Sequence, residues 1–265
     1  MTRLHIRIGR EKMKLNKEDQ FIKEIQLHKD SIHSYDTFPF DLPVIKNFKR
    51  LLFHPNVTYI IGENGMGKST LLEGIAIALG FNPEGGTKNF NFSSFDSHSN
   101  LDQFLRIAKG PYLPNDSFFF RAESFYNVAS NIEEMDMDAS PYSGSRIIDS
   151  FGGKSLHEQS HGESFFATFT NRFRGQGLYI LDEPEAALSP IRQLSMLVRI
   201  HELVNQGSQF IISTHSPILM AYPDARIIQL TEVGMEKQRL EDTEHYKVMK
   251  QFFDDKDRLL HHLFQ

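Results

Sequence analysis

Cysteine and tryptophan are both absent from the 265 residues. Without cysteine the chain has no disulfide, no cysteine-ligated zinc and no iron–sulfur cluster, which fits a reducing compartment. Long apolar runs are missing as well, and the charged N-terminal stretch lacks the apolar centre of a secretory signal. We therefore expect a cytoplasmic protein without stable membrane insertion.

A surplus of basic residues is also lacking. The chain has 29 Lys and Arg against 34 Asp and Glu, a formal net charge of −5. Because sequence-independent binding of nucleic acid depends on Lys and Arg neutralising phosphates, this balance argues against a protein that binds nucleic acid over its whole surface. Lys46, Lys49 and Arg50 lie close together in the sequence. They form either a local basic patch that binds a ligand or an ordinary solvated face.

The stretch "IIGENGMGKST" at residues 60–70 is the first positive signal. Glycines let a backbone curl so that successive N–H groups point at a phosphate, and a following Lys-Ser pair suits a nucleotide phosphate with its Mg²⁺. A turn that fits the pattern by chance is the alternative. The candidate nucleotide-binding residues are Gly62, Glu63, Asn64, Gly65, Gly67, Lys68, Ser69 and Thr70.

The residues on either side of these glycines favour the phosphate-binding interpretation. Val57–Ile61 is a short apolar run of strand type, and apolar residues recur at helical spacing from Lys68 to a stop at Gly80. Strands are also predicted at Phe118–Phe120, at Leu178–Leu181 and within "SQFIISTHSP", with a helix over "SPIRQLSMLVRIHELVNQG". Such alternation predicts an α/β fold with a mostly parallel central sheet.

Polar residues follow two of these strands. Asp182 and Glu183 follow the apolar run of "LYILDEP", and His215 follows the apolar run of "FIISTHSP". Because the carboxyl ends of parallel strands meet at one edge of a sheet, we expect these side chains to gather near the glycine-rich loop. Asp182 with Ser69 suits Mg²⁺, Glu183 suits the base that activates water, and His215 suits contact with a terminal phosphate.

A fourth motif, "HEQSHGESFF", places Ser160, His161, Gly162 and Glu163 before an apolar helical run. With it the sequence resembles the ABC-type ATPases, whose signature motif has the same serine and second glycine at a similar distance before the Walker B strand. "GENGMGKS" is similar to Walker A, "LYILDEP" to Walker B, "EAALSP" to the D-loop and "STHSP" to the switch-histidine loop. The sequences of these motifs most resemble those of small stand-alone bacterial ATPases. Such ATPases are related to the heads of DNA-repair and chromosome-structure proteins but lack their coiled coil.

The resemblance implies a single domain over residues 1–265, a P-loop NTPase head. An N-terminal antiparallel β region is expected at about 20–61, and the P-loop core at 62–125 and 175–235. A helical or loop lobe with the signature motif is expected at about 126–174, and C-terminal helices at 240–265. The first 20 or so residues are not covered, and an edge strand is one interpretation of them.

Several positions depart from the family pattern. His161 stands where transporters have glycine, and Glu163 where they usually have glutamine. No clear Gln-loop is present, so Glu123 of "FFFRAES" is a candidate third group at the metal, with a plain ion pair to Arg121 as the alternative. The aromatic that stacks on adenine is predicted as Tyr35, in competition with Phe38 and Phe40.

The implied activity is hydrolysis of ATP with Mg²⁺ in a head-to-tail homodimer, where the signature residues of one copy close over ATP held by the other. By analogy alone, such a dimer switch serves DNA repair or defence with a nucleic-acid or nuclease-type partner. A nucleotide-binding subunit of a membrane transporter is the first alternative. A module that dimerises on ATP without hydrolysing it is the second.

Overall fold

The computed structural model describes residues 14–88, 99–138 and 146–265. The opening segment, for which an edge strand was considered, lies largely outside these ranges. Within them no helix has the length and apolar character that crossing a bilayer requires.

In the described ranges the chain forms nine strands and eight α-helices. The strands are β1 (Ile22–Leu27), β2 (Arg50–Leu52), β3 (Val57–Ile61), β4 (Leu105–Lys109), β5 (Asp116–Arg121), β6 (Gly177–Asp182), β7 (Gln209–Ser213), β8 (Arg226–Thr231) and β9 (Gly234–Gln238). The helices are α1 (Pro43–Lys46), α2 (Lys68–Ala78), α3 (Phe125–Asp138), α4 (His161–Asn171), α5 (Pro190–Asn205), α6 (Pro217–Met220), α7 (Glu244–Asp254) and α8 (Lys256–Leu263).

The central sheet has six strands in the order β5-β6-β7-β3-β8-β9. All its pairs are parallel except β8 with β9, which is antiparallel. A smaller antiparallel sheet has the order β2-β1-β4. The predicted α/β fold with a mostly parallel sheet and an N-terminal antiparallel part is thereby confirmed. The third strand of the small sheet, β4, comes from within the range assigned to the P-loop core.

Two hydrophobic cores lie on the two faces of the central sheet. Every residue of β3, β6 and β7 is buried, as expected for parallel strands covered on both sides. On β3, Tyr59 packs into the core that contains residues of α3, α4 and α5, while Ile60 packs into the core that contains α2 and the small sheet. This alternation makes a three-layer domain and leaves the ends of the strands as the place for polar groups.

Aromatic side chains fill the core beneath α4. Phe169 is fully buried between Phe165 and Phe173, with ring centroids 6.0 and 5.1 Å away. Phe173 stacks in turn on Tyr179 of β6 at 4.3 Å and an interplanar angle of 8°. This row of rings ties the helix with the predicted signature motif to the strand that ends in Asp182.

Replacing Phe169 with alanine is expected to lower the free energy of unfolding by about 3–5 kcal/mol, because a large buried ring leaves a cavity that the packed core fills only in part. Urea denaturation followed by circular dichroism measures the change. Phe253→Ala is the matched control, since that ring is 74% exposed, and a change within about 0.5 kcal/mol is expected there. Equal stability of the two variants would contradict the packing described.

Candidate functional site

The phosphate-binding loop, residues 62–69, connects β3 to α2. Gly67 precedes the helix with φ of 88°, in the left-handed region. At Gly62, where φ is 153°, a Cβ atom would lie 2.9 Å from the carbonyl oxygen of Leu230 on β8. Both positions therefore require glycine, one for its backbone conformation and one for the close approach of the neighbouring strand. Glu63, Asn64 and Gly65 are exposed, and Ser69 and Thr70 are half-buried.

The side chain of Lys68 turns back across this loop. It is 4% exposed, and its Nζ donates hydrogen bonds to the carbonyl oxygens of Gly62 at 3.0 Å and Glu63 at 3.2 Å. Its Nζ also lies 3.7 Å from Oε1 of Glu183. Burial lowers the pKa of Lys68, and the carboxylates of Glu183 and Asp182 oppose that shift. The loop thus holds a positive charge where the phosphate is predicted to bind.

Asp182, at the end of β6, is the buried acid of the site. Its Oδ1 accepts hydrogen bonds from the hydroxyl of Ser69, at 3.2 Å, and from that of Ser213. Burial raises the pKa of Asp182, while the Ser213 and Ser69 hydroxyls and the nearby Arg121 lower it. Ser213 was missed in the sequence, although it ends the parallel strand beside β6 and is paired with Asp182 in register.

Ser69 and Asp182 suit a magnesium ion, because Mg²⁺ takes hard oxygen ligands and usually keeps several waters beside one or two protein groups. The part of the chain that the structure describes has no group of three His, Asp or Glu side chains that would hold a metal by itself. A metal at these two oxygens would therefore need ligands from a nucleotide phosphate and from water.

Glu183 has an unusual backbone conformation. With φ of 47° and ψ of 52° it lies in the left-handed region, which costs a residue with a side chain about 1–3 kcal/mol. Its N–H lies 3.2 Å from the carbonyl oxygen and 3.0 Å from the hydroxyl oxygen of Ser213 and donates to both. Its Oε1 lies 3.4 Å from Nε2 of His215 and 3.7 Å from Nζ of Lys68. Three residues predicted for the site thus meet at one carboxylate oxygen.

His215 is held from two further directions. Its backbone N–H donates to Oε1 of Glu185 at 2.6 Å, and its Nδ1 lies 3.0 Å from Nε2 of His245 on α7. Burial raises the pKa of Glu185, and the hydrogen bond from the His215 backbone opposes that shift. No motif singled out His245, which follows His215 by 30 residues.

The predicted signature residues begin α4. Ser160 caps the helix by accepting from the N–H of Glu163, and the Glu163 carboxylate accepts from the Ser160 N–H at 3.1 Å. This reciprocal capping gives Glu163 a structural role at the start of α4, which a glutamine could also fill. Hydrogen bonds donated by the Ser160 hydroxyl and N–H lower the pKa of Glu163. Of His161 only the backbone is described.

Gly162 touches the turn that follows Glu183. A Cβ atom at Gly162 would lie 2.3 Å from the carbonyl oxygen of Ala187, which belongs to a 3-10 helix at Pro184–Ala187. Glu163 also lies 3.7 Å from Arg192 of α5. Within one chain Gly162 is therefore packed against the turn that begins with the predicted base.

The two remaining predictions, Glu123 and Tyr35, make no hydrogen bond or ion pair with the residues of this cluster in the described part of the chain. Glu123 is 82% exposed and pairs at 3.4 Å with Arg121, whose other partner is Glu73 of α2. An ion pair with Arg121 is the alternative that the sequence offered to a role of Glu123 at the metal. Among the aromatic candidates, Phe40 is buried against Phe104 at 4.8 Å, Tyr35 is half-buried and Phe38 is 60% exposed.

The chain is similar to two family models and to several ATP-binding proteins. A family model described as "AAA domain" matches residues 26–134, and one described as "AAA domain, putative AbiEii toxin, Type IV TA system" matches residues 155–221. An uncharacterized ABC transporter ATP-binding protein of Haemophilus influenzae is 25% identical over 71% of this chain and 75% of its own length. The ABC-type transporter ATP-binding protein EcsA of Bacillus subtilis is 27% identical over 65% of this chain and 71% of its own.

A solved structure shares the fold. MJ1267, an ATP-binding cassette of an ABC transporter, superposes with a TM-score of 0.53 at 14% identity, covering 87% of this chain and 99% of that one. At this identity the likeness concerns the architecture alone.

Gly162→Ala is expected to lower the free energy of unfolding by about 1–3 kcal/mol, since the added methyl group must displace the Ala187 backbone. Thermal and urea unfolding measure the loss. Glu158→Ala, an exposed position just before α4, serves as control with a change within about 0.5 kcal/mol. A Gly162→Ala protein as stable as the wild type would contradict the close approach of the two backbones.

Proposed function

We propose that this chain is an ABC-type P-loop ATPase that binds ATP, hydrolyses it to ADP and phosphate, and uses the nucleotide to join two copies head to tail. The observation that carries the proposal is the meeting of Lys68 and His215 at one carboxylate oxygen of Glu183, beside the phosphate-binding loop. A cation, a base and a histidine in this arrangement suit the attack of water on a terminal phosphate.

Each residue has a distinct role in the proposed reaction. The N–H groups of residues 62–69 and the Lys68 ammonium bind the phosphates, and Tyr35 is the proposed stacking partner of adenine. Ser69 and Asp182 would hold Mg²⁺, which when bound neutralises developing charge on the phosphates; the exposed Glu123 contacts neither of them in the described structure. Glu183 accepts the proton of the attacking water, and the imidazole of His215 donates to the terminal phosphate.

The second copy would supply the signature residues Ser160, His161, Gly162 and Glu163. They begin α4, where backbone N–H groups and the positive end of the helix dipole favour an anion. Ser160 and Glu163 are exposed in the single chain, so their surface is free to meet a partner's nucleotide. ATP then joins the copies, and loss of its terminal phosphate separates them.

Lys68→Ala is expected to weaken binding of Mg-ATP by about 100-fold or more, because at least two charge-assisted hydrogen bonds worth about 1.5–3 kcal/mol each are lost. Titration with a fluorescent ATP analogue at equilibrium measures the affinity. Lys49→Ala removes an exposed lysine and should bind as the wild type does. Undiminished affinity of Lys68→Ala would refute the phosphate-binding loop.

Glu183→Gln is expected to lower ATP turnover by about 10²–10⁴-fold while ATP still binds, since an amide cannot take the proton of water. Phosphate release measures turnover, and light scattering with and without ATP follows the dimer. The variant should accumulate as an ATP-bound dimer.

Glu232→Gln makes the same change at an exposed site and should leave turnover intact. Wild-type turnover in Glu183→Gln would refute the assignment of the base. A wild type that neither hydrolyses ATP nor dimerises would refute the proposed function as a whole.

The second candidate function is that of a transporter's ATP-binding subunit, which the names of the curated relatives favour. The family description that mentions a toxin of a type IV system favours a defence role instead. Adding membranes or nucleic acid to the turnover assay separates these roles. Stimulation by one and not the other identifies the partner class.

A further inference from the structure

The C-terminal helix α7 brings a side chain into the site from outside the central sheet. Thr243 caps this helix and is fully buried, with its hydroxyl donating to the carbonyl oxygen of Leu240 and accepting from the N–H of Tyr246. The cap fixes the first turn of α7 and with it the position of His245. No residue of α7 itself is fully buried, so the cap at Thr243 is its best anchored point.

His245 lies on the wall of a cleft to which the phosphate-binding loop contributes Glu63 and Asn64. The cleft has a volume of about 450 Å³, and its lining includes Glu63 and Asn64 of the loop, His215, His245, and Val248 and Met249 of α7. The two histidine rings are 5.2 Å apart at an angle of 54°, with His245 Nε2 3.0 Å from His215 Nδ1. His245 is thus one hydrogen bond away from the group predicted to contact phosphate.

The other nitrogen of His215 determines which ring donates. Nε2 of His215 is buried, lies 3.4 Å from Oε1 of Glu183 and has no hydrogen-bond partner among the described residues. A neutral imidazole carries one proton. If the proton were on Nδ1, the lone pair of Nε2 would lie 3.4 Å from the negatively charged Oε1 of Glu183, and two electron-rich atoms at that distance repel each other. The favourable arrangement has the proton on Nε2 and a lone pair on Nδ1.

We propose that His245 is a positioning residue, which donates its Nε2–H to Nδ1 of His215 and thereby keeps the His215 proton on Nε2, beside the Glu183 carboxylate. Neutral His245 supplies that donor when its own proton is on Nε2. Burial lowers the pKa of His245, and the nearby Lys68 ammonium lowers it further against the opposing effect of Glu244, so the neutral form is favoured.

The expected effect of His245 on kcat rests on the proposed function, ATP hydrolysis. His245→Ala is expected to lower kcat by about 10- to 100-fold with the KM for ATP within about twofold, the scale seen when the partner that orients a metal-binding histidine is removed. His245→Gln should recover most of the rate, because its amide N–H can donate in place of the imidazole. His262→Ala, an exposed histidine of α8, is the matched control and should keep wild-type kinetics.

A spectroscopic measurement separates this inference from the proposed function. In ¹⁵N spectra of the imidazole rings without nucleotide, with His215 assigned by its loss in His215→Gln, the wild type should show the Nε2–H form. His245→Ala should shift His215 toward a mixture of forms, and His245→Gln should restore the wild-type pattern.

The outcomes are distinct. Unchanged His215 nitrogen signals in His245→Ala overturn the proposal, whether or not the protein hydrolyses ATP. If the wild type is inactive, the proposed function fails and the nitrogen signals still decide this inference. If the wild type is active and His245→Ala matches it in kcat, the ATPase stands and the positioning role is refuted.

Discussion

One buried carboxylate organises the site. Asp182 accepts hydroxyl hydrogen bonds from the first turn of α2 and the last residue of β7, so three elements converge on it. A buried carboxylate without such partners would cost several kcal/mol, which fixes the register of β6 against β7 at this edge. The next residue, Glu183, then has its N–H bound to the same Ser213. The contacts of Glu183 with Lys68 and His215 follow from that anchor.

Local signals in the sequence predicted the parts of the site that are built within single elements. The change from strand to helix periodicity at residues 57–80 located β3, the loop and α2, and the acids after an apolar run located the end of β6. The rule that the carboxyl ends of parallel strands share one edge then predicted that Lys68, Glu183 and His215 would meet. Their predicted roles in catalysis remain hypotheses that the kinetic experiments decide.

Contacts between distant segments were not predictable, because they leave no periodic pattern in the chain. No local signal marks Ser213 as the partner of Asp182, or β4 as the neighbour of β1. Gly162 matched a motif, but its steric reason, the carbonyl oxygen of Ala187, requires the packed structure. An amphipathic pattern shows that α7 has an apolar face, but it does not show which residue of α7 lies against His215.

The supports of His215 differ in how firmly the fold holds them. Glu183 and Glu185 follow a fully buried central strand, and Glu183 accepts a strained backbone because the strand fixes its position. His245 instead depends on the buried cap at Thr243, while Val248, Met249 and Phe253 of the same helix are largely exposed. Segments with little buried surface open locally at lower free energy than the core. The hydrogen bond between His245 and His215 therefore depends on how α7, a peripheral helix, packs on the domain. The positions of the Glu183 and Glu185 carboxylates depend instead on the central sheet.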